Sequence, residues 1–141
     1  MTFSAKSPMN NRKLGNRFEA EFCEILSANG FWAHNMAQNS SGQPADVIAA
    51  RNKVAYLIDC KVCSGKGFAI SRMEDNQDLS MELWKECGNG EGWFALKLRD
   101  GRIFMIPHFT IRALRNSKSS INEKEVFEYG MLLEKWITRC K

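Results

Sequence analysis

An acid and a lysine stand two residues apart at the end of an apolar segment, in the stretch NKVAYLIDCKV at residues 52–62. Residues 54–58 are typical of a buried strand, and Asp59 and Lys61 follow in the same segment. Because side chains alternate faces along a strand, Asp59 and Lys61 are predicted to project from the same face. Packing alone does not require an acid and a base side by side in a core strand, so this pair is a candidate for chemistry.

A second acid is predicted to lie close to the first. The segment ADVIAAR at residues 45–51 predicts a strand, and Asn52-Lys53 predicts a two-residue turn into the next one. With that turn, Asp46 would pair directly with Asp59, at a Cβ separation of about 4.5–5.5 Å. Two carboxylates so close repel one another, and a divalent cation between them reverses the sign of that interaction. Hard oxygen ligands suit Mg²⁺ or Mn²⁺.

This arrangement predicts metal-dependent hydrolysis of a phosphodiester. Lys61 could orient the attacking water or stabilise charge on the phosphate in the transition state, and the metal would lower the pKa of that water. The prediction depends on the turn, because a three-residue loop would put the two acids on opposite faces. An alternative stays open, in which Asp46 is a turn residue after Pro44-Ala45 and Asp59 is a solvated strand end.

The elements that must position these residues follow from periodicity and turn signals. The pattern predicts an α/β fold: a single domain with a mixed central sheet of four or five strands flanked by helices. Helices are predicted over residues 11–29, 72–88, 108–116 and 127–138, strands over 31–36, 45–51, 54–62, 92–98 and 102–107, and loops over 37–44 and 63–71.

Composition fits one folded domain. The chain has 141 residues, 44% of them hydrophobic, and 20 Lys and Arg against 16 Asp and Glu give a net charge of +4. Residues 1–10 are predicted to be a flexible basic arm, and residues 11–141 the catalytic domain. No stretch approaches the roughly 20 apolar residues of a membrane span, so we expect a cytoplasmic, nucleoid-associated protein with no membrane partner.

The five cysteines are expected to be reduced thiols, since their odd number and spacing do not resemble a disulfide scaffold. Cys60 and Cys63 form an isolated CxxC that begins inside an apolar strand. A zinc or redox role for this pair is an alternative function that the sequence leaves open.

The motif residues resemble those of a known superfamily. PAD at 44–46 and DCK at 59–61 resemble the PD-(D/E)xK nuclease motif, and GNRFEAEF in the first predicted helix resembles the helix that supplies a further glutamate. The similarity is greatest to Holliday junction resolvases, both archaeal and RecU-like, over residues 12 to about 115. Two departures are visible: Ala45 separates the proline from Asp46, and the short stretch before Asp46 leaves little room for a RecU-like stalk.

This resemblance implies a restriction-endonuclease-like fold and a specific set of site residues. The implied catalytic residues are Glu19, Asp46, Asp59, Lys61 and Gln77, the last within FAISRMEDNQ. The implied metal ligands are Glu19, Asp46, Asp59 and the backbone carbonyl of Cys60, with Mg²⁺ bound and Mn²⁺ able to substitute. Helical geometry alone does not choose between Glu19 and Glu21, and Gln77 could equally be an exposed residue at a helix start.

The implied function is a Mg²⁺-dependent endonuclease of DNA recombination and repair that nicks four-way junctions symmetrically to 5′-phosphate and 3′-hydroxyl ends. Because a four-way junction is nearly two-fold symmetric, we expect a homodimer. Predicted DNA-binding residues are Arg12, Lys13, Arg17, Lys66 and Arg72; Arg112, Arg115 and Lys118 either extend them or solvate a helix. Candidate dimer-interface residues, with core packing as the alternative, are Phe31, Trp32, Trp93, Leu132, Leu133 and Trp136. Alternatives are another PD-(D/E)xK nuclease, of restriction or repair type, and a non-catalytic DNA-binding domain.

Overall fold

A computed structural model describes residues 11–36 and 45–140, with side chains described from Lys13 onward; the predicted arm at 1–10 lies outside these residues. Within them, the elements in chain order are α1 (Asn11–Ala28), β1 (Trp32–Asn35), β2 (Val47–Arg51), β3 (Val54–Val62), β4 (Gly67–Ala69), a 3₁₀ turn (Ile70–Arg72), α2 (Asp75–Glu86), β5 (Trp93–Lys97), β6 (Ile103–Pro107), α3 (His108–Leu114), β7 (Ser120–Asn122), α4 (Glu123–Tyr129), β8 (Met131–Leu132) and α5 (Leu133–Arg139). None of the helices in this described part is long and apolar enough to cross a membrane.

The main sheet has six strands in the order β1-β2-β3-β5-β6-β8, and β4 pairs with β7 in a separate two-stranded sheet. β3 and β5 run parallel, and the other neighbours in the main sheet are antiparallel. The predicted α/β single domain with a mixed sheet is therefore confirmed. The sheet has more strands than the four or five predicted, and β4, β7 and β8 were not predicted because strands of three residues or fewer give too little alternation to detect.

The turn between β2 and β3 is the two-residue turn that was predicted. Asn52 and Lys53 both have positive φ angles, 52° and 71°, as a tight hairpin of the I′ kind requires. The predicted register is confirmed from Arg51↔Val54 to Val47↔Ile58. The ladder ends there, and the Asp46 amide donates to the Ile58 carbonyl at 3.1 Å. Asp46 therefore does not pair directly with Asp59, contrary to the prediction, because the chain leaves the regular ladder one residue earlier.

The sheet is covered on both faces by apolar layers. One layer contains α1 and α5, and its largest buried side chains include Phe18, Phe22 and Trp136. The other layer contains side chains of α2, α3 and α4, including Met81 and Ile111. Asp59 lies within β3 under this packing, and 0% of its surface is exposed.

The predicted helix over residues 127–138 is wrong. α4 ends at Tyr129, β8 follows and pairs with β6, and α5 begins at Leu133. The cause is Gly130, where an added Cβ would lie 2.9 Å from both an Ile106 side-chain carbon and the Val126 carbonyl oxygen. Only a glycine lets the chain pass this close to β6 and re-enter the sheet.

Most of the candidate interface residues belong to the core. Phe31, Trp93, Leu133 and Trp136 are buried, and Leu132 is half-buried. Phe31 stacks on Trp136 with ring centroids 5.7 Å apart. Trp32 differs from this group, with 62% of its surface exposed.

Candidate active site

Asp59 and Lys61 lie side by side on β3. Lys61 Nζ lies 3.1 Å from Asp59 Oδ2, and the lysine side chain is 13% exposed while the aspartate is fully buried. Alternation along the strand puts both on one face. Asp59 Oδ2 has no hydrogen-bond partner among the described residues, so its contact with Lys61 is an ion pair without hydrogen-bond geometry.

Asp46 meets the same part of β3 from the start of β2. The backbone amide of Cys60 donates to Asp46 Oδ2 at 2.8 Å, so the Asp46 carboxylate lies against the peptide between Asp59 and Lys61. Burial raises the pKa of Asp59 well above its usual range, the Asp46 carboxylate raises it further, and Lys61 opposes the shift. The two aspartates are thus close enough to resist joint ionisation, although they are not a ladder pair.

Glu19 completes a group of three carboxylates. It lies on α1 and is 5% exposed. Burial raises the pKa of Glu19 to about 7, with further contributions from the charge of Asp46 and a hydrogen bond shared with it, while Lys61 acts in the opposite direction. Glu21, the other helix glutamate, instead accepts a hydrogen bond from Lys97 at 2.8 Å outside this group. The structure therefore distinguishes the two glutamates that helical periodicity left open.

Gln77 contacts the site from α2. Its Nε2 donates to Asp59 Oδ1 at 3.1 Å, and its Oε1 accepts from the backbone amide of Glu74 at 3.0 Å. The side chain is buried, with 8% of its surface exposed. Gln77 thus both caps the start of α2 and fixes the orientation of the Asp59 carboxylate, and it is not an exposed polar residue.

The donor set fits a hard divalent cation. Oxygen atoms of Asp46, Asp59 and Glu19 lie close together, and the buried Asp59 Oδ2 accepts no hydrogen bond from any described residue. Carboxylate oxygens are the ligands that Mg²⁺ and Mn²⁺ prefer. In the part of the chain that the structure describes, no three Asp, Glu, His or Cys side chains already stand in metal-binding positions.

The structure describes the side chains of four of the five predicted DNA-binding residues. Lys13, Arg17 and Lys66 are exposed on α1 and on the loop before β4. Arg72 is exposed and donates to the Val62 carbonyl at 2.8 Å, so its guanidinium also caps the end of β3. The side chain of Arg12 lies outside the described part of the chain.

The second basic cluster makes ion pairs in the structure. Arg112 Nη1 lies 2.6 Å from Glu82 Oε2, and Arg115 Nη1 lies 3.2 Å from Asp78 Oδ2. Lys118 Nζ lies 2.7 Å from Glu125 Oε2. Each of these basic residues therefore has an acidic partner within the protein. This favours the interpretation that they form a solvated, charge-paired surface.

One supporting contact has no signal in the sequence. His108 Nε2 lies 2.6 Å from Asp78 Oδ1, and both residues are buried. Asp78 follows Gln77 in α2, and His108 begins α3, so this contact fixes α2 where Gln77 reaches Asp59. The two residues are 30 positions apart, and no motif connects them.

The cysteine pair does not form a bond. Cys60 and Cys63 are both buried free thiols, and burial raises the pKa of each. A thiol with a raised pKa is a poor nucleophile and a poor metal ligand at neutral pH. The site chemistry therefore rests on the carboxylates and Lys61.

Comparison with known proteins identifies the family and the fold. The profile of a family described as archaeal Holliday junction resolvase (Hjc) matches residues 9–141. Among solved structures, Hjc from Archaeoglobus fulgidus, a Holliday junction resolvase from an archaeal hyperthermophile, has the same fold with a TM-score of 0.68. The two sequences are 20% identical, and the alignment covers 87% of this chain and 99% of that chain. Comparison with curated protein sequences gives no significant match.

The family match covers almost the whole chain, including every element that contributes to the carboxylate group, and the structural likeness independently supports the fold. The chain belongs to the archaeal Holliday junction resolvase family.

Proposed function

We propose that this protein is a Mg²⁺-dependent endonuclease that resolves four-way DNA junctions by symmetric nicks, leaving 5′-phosphate and 3′-hydroxyl ends. The observation that carries the proposal is the strand end where Lys61 lies 3.1 Å from Asp59, with Asp46 and Glu19 beside it. Membership of the resolvase family supports branched DNA as the substrate. Because its proposed substrate is DNA, the protein is proposed to act in the cytoplasm, in association with the nucleoid.

Resolvases of this family are metal-dependent nucleases. Asp46, Asp59, Glu19 and the Cys60 carbonyl would hold the cation, with Mn²⁺ able to replace Mg²⁺. When bound, such a cation lowers the pKa of the attacking water and neutralises charge on the phosphate. The pKa values of Glu19 and Asp59 are raised in the metal-free protein, so binding the cation must displace protons from this group.

Lys61 acts on the phosphate. Water attacks phosphorus, the bond from phosphorus to the 3′ oxygen breaks, and negative charge grows on the phosphate oxygens. The Lys61 ammonium, held by Asp59 and largely excluded from water, donates a hydrogen bond where that charge develops. Gln77 keeps the Asp59 carboxylate oriented through Oδ1, which leaves Oδ2 beside Lys61, where it would be available as a ligand for a cation.

Symmetric cutting requires two copies of the site. A four-way junction offers two equivalent strands related by a two-fold axis, and a homodimer presents two active sites with the matching symmetry. The proposal therefore includes a homodimer in solution, measured by analytical ultracentrifugation.

The decisive experiment compares a labelled four-way junction with a linear duplex of the same arm sequence, in Mg²⁺ and in EDTA. We expect paired nicks at symmetric positions of the junction only, ligatable ends, and no cleavage in EDTA. Asp59→Asn and Glu19→Gln should bind the junction but fail to cut it. Glu21→Gln is the matched control, since Glu21 lies on the same helix and pairs with Lys97 instead, and it should keep cleavage.

Each alternative function predicts a different result. Cleavage of the plain duplex would favour another nuclease of the same superfamily, of restriction or repair type. Junction binding without cutting in either Mg²⁺ or Mn²⁺ would favour a non-catalytic DNA-binding domain. Equal loss of cleavage in Glu19→Gln and Glu21→Gln would contradict the assignment of Glu19 to the site.

A further inference from the structure

Two aromatic rings lie stacked on the open edge of the sheet. Trp32 and His34 are on β1, the edge strand, with ring centroids 6.0 Å apart and an interplanar angle of 16°. Both side chains are exposed, and Trp32 has 62% of its surface exposed. Ala33, between them, packs in the opposite direction against the layer that contains α1. The stacked rings thus occupy the face of the sheet that α1 does not cover.

This face is the one from which the catalytic strand residues project. Trp32 pairs with Ala50, and Ala50 pairs with Ala55; His34 is connected in the same way through Ile48 to Leu57. Directly paired residues share a face, and Asp59 and Lys61 follow Leu57 at two-residue steps. Strand spacing and rise put the His34 Cα about 12 Å, and the Trp32 Cα about 17 Å, from the Asp59 Cα. The rings therefore lie within a few nucleotides' reach of a DNA strand whose phosphate contacts Lys61.

The charge around the rings is compatible with DNA. Between Glu24 and Asp59 the sequence contains one acid, Asp46, which belongs to the proposed metal site. Lys53 lies in the turn at the far end of the β2–β3 hairpin. The described residues of β1, β2 and the β2–β3 turn therefore present no carboxylate to a phosphate backbone that crosses them.

We propose that Trp32 and His34 form a nucleobase-stacking platform for bases that lose a stacking partner at the branch point of the junction. Aromatic side chains stack on any base, since every base has a π-face, whereas bases inside a duplex already stack on their neighbours. The platform therefore recognises structure and not sequence. It deepens the proposed function and rests on it, because continuity with the active-site face identifies the ligand.

The test measures junction binding in EDTA, where no cleavage occurs, by fluorescence anisotropy. Trp32→Ala should weaken binding by about 5- to 100-fold, as expected for one lost base stack. Trp32→Phe should recover most of the affinity, because it restores an aromatic face. The salt dependence of binding should stay at the wild-type value, since stacking releases no counterions. His34→Ala should weaken binding less, as it removes the ring that supports Trp32.

Val54→Ala is the matched control. Val54 is an apolar residue of the neighbouring β2–β3 hairpin, and 46% of its surface is exposed. It pairs with Arg51 and precedes Ala55, so it projects from the face opposite to Trp32. This variant should bind the junction as the wild type does. If Val54→Ala weakened junction binding as much as Trp32→Ala, the loss of affinity could not be assigned to the aromatic rings. That result would overturn the proposed platform.

A second measurement reports the stack directly. 2-Aminopurine placed at the branch point loses fluorescence when it stacks on an aromatic ring. Its signal should be quenched by the wild type and by Trp32→Phe, but not by Trp32→Ala. If the wild type binds the junction while Trp32→Ala binds equally tightly and quenches equally, the platform alone is overturned. If the wild type does not bind the junction, the proposed function fails and the platform fails with it.

Discussion

At the scale of single residues, Glu19 costs the metal-free protein stability. Its folded pKa of about 7 lies above the ordinary value of 4.5, chiefly because it is buried and then because Asp46 is near. Between these values the folded state holds more protons than the unfolded state, so the free energy of unfolding falls as pH rises. Glu19 therefore contributes less to the stability of the metal-free protein at neutral pH than at low pH.

We therefore expect Glu19→Gln to reduce this pH dependence. In EDTA, wild-type stability should fall between about pH 5 and about pH 8, and the variant should recover about 1–3 kcal/mol at the upper end. Some slope should remain, because Asp59 also has a raised pKa. Urea unfolding at both pH values measures this, with Glu21→Gln as the control that keeps the wild-type slope. An unchanged slope in Glu19→Gln would show that Glu19 does not titrate in this range.

Gln77 gives a second prediction at this scale. Gln77 orients Asp59 but is not itself one of the expected metal ligands. Gln77→Ala should therefore lower activity or metal affinity about 10- to 100-fold while leaving junction binding in EDTA unchanged. The loss of its bond to the Glu74 amide should also cost about 1 kcal/mol of stability. Mg²⁺ titration of cleavage measures the first effect. Glu86→Gln, an exposed change at the other end of α2, is the control, and equal activity in the two variants would refute the role of Gln77.

At the scale of elements, the position of α2 depends on a buried contact with α3. Burial by itself would raise the pKa of Asp78, but the hydrogen bond with His108 and the nearby Arg112 and Arg115 together lower it. A carboxylate whose pKa is lower in the folded state than in the unfolded state stabilises the fold at pH values above its unfolded pKa. That stabilisation is lost as the pH falls through its folded pKa. The stabilisation from this contact is therefore fully present at neutral pH.

Removing this contact should destabilise the domain and disturb the site. Asp78→Ala leaves the buried His108 ring without its partner, so we expect a loss of about 2–3 kcal/mol. Glu82→Ala is the control on the same helix, because its bond to Arg112 is at the surface and should cost less than about 1 kcal/mol. Denaturant unfolding measures both. Equal costs would mean that the Asp78–His108 contact adds nothing beyond a surface pair.

At the scale of the whole molecule, we expect the exposed basic residues to contribute affinity for DNA without sequence preference. The net charge of +4 is modest, so contact with the phosphate backbone depends on where the charges lie. Lys66→Ala should reduce the slope of log binding constant against log salt by about 0.9, the value for one phosphate contact. Arg17→Ala should give a second step of the same size.

Anisotropy titrations at several salt concentrations measure these slopes. Lys135→Ala is the control, since Lys135 is exposed on α5, an element that carries none of the predicted DNA contacts. Its slope should equal that of the wild type. A change in Lys135→Ala as large as that in Lys66→Ala would contradict a localised DNA track and indicate binding by net charge alone.

The features that depend on short-range preferences could be predicted from the sequence. The β2–β3 hairpin has the predicted register because Asn52 and Lys53 adopt the positive φ angles of a two-residue turn, and the period of two then orients every residue along β3. α1 follows from its apolar spacing and Gly30. The same-face placement of Asp59 and Lys61 is a direct result of this local geometry.

The contacts between side chains that are distant in sequence could not be predicted, because they depend on how the elements pack. Helical spacing cannot tell Glu19 from Glu21, because both border the apolar face; the packing of α1 on the sheet directs one to Asp46 and the other to Lys97. The contacts from Gln77 to Asp59 and from His108 to Asp78 join segments 18 and 30 residues apart. The break at Gly130 likewise depends on how close β6 lies. Local backbone conformation depends on residues that are neighbours in the sequence. The convergence of distant side chains at a site depends instead on how whole elements pack, which no short stretch of sequence specifies.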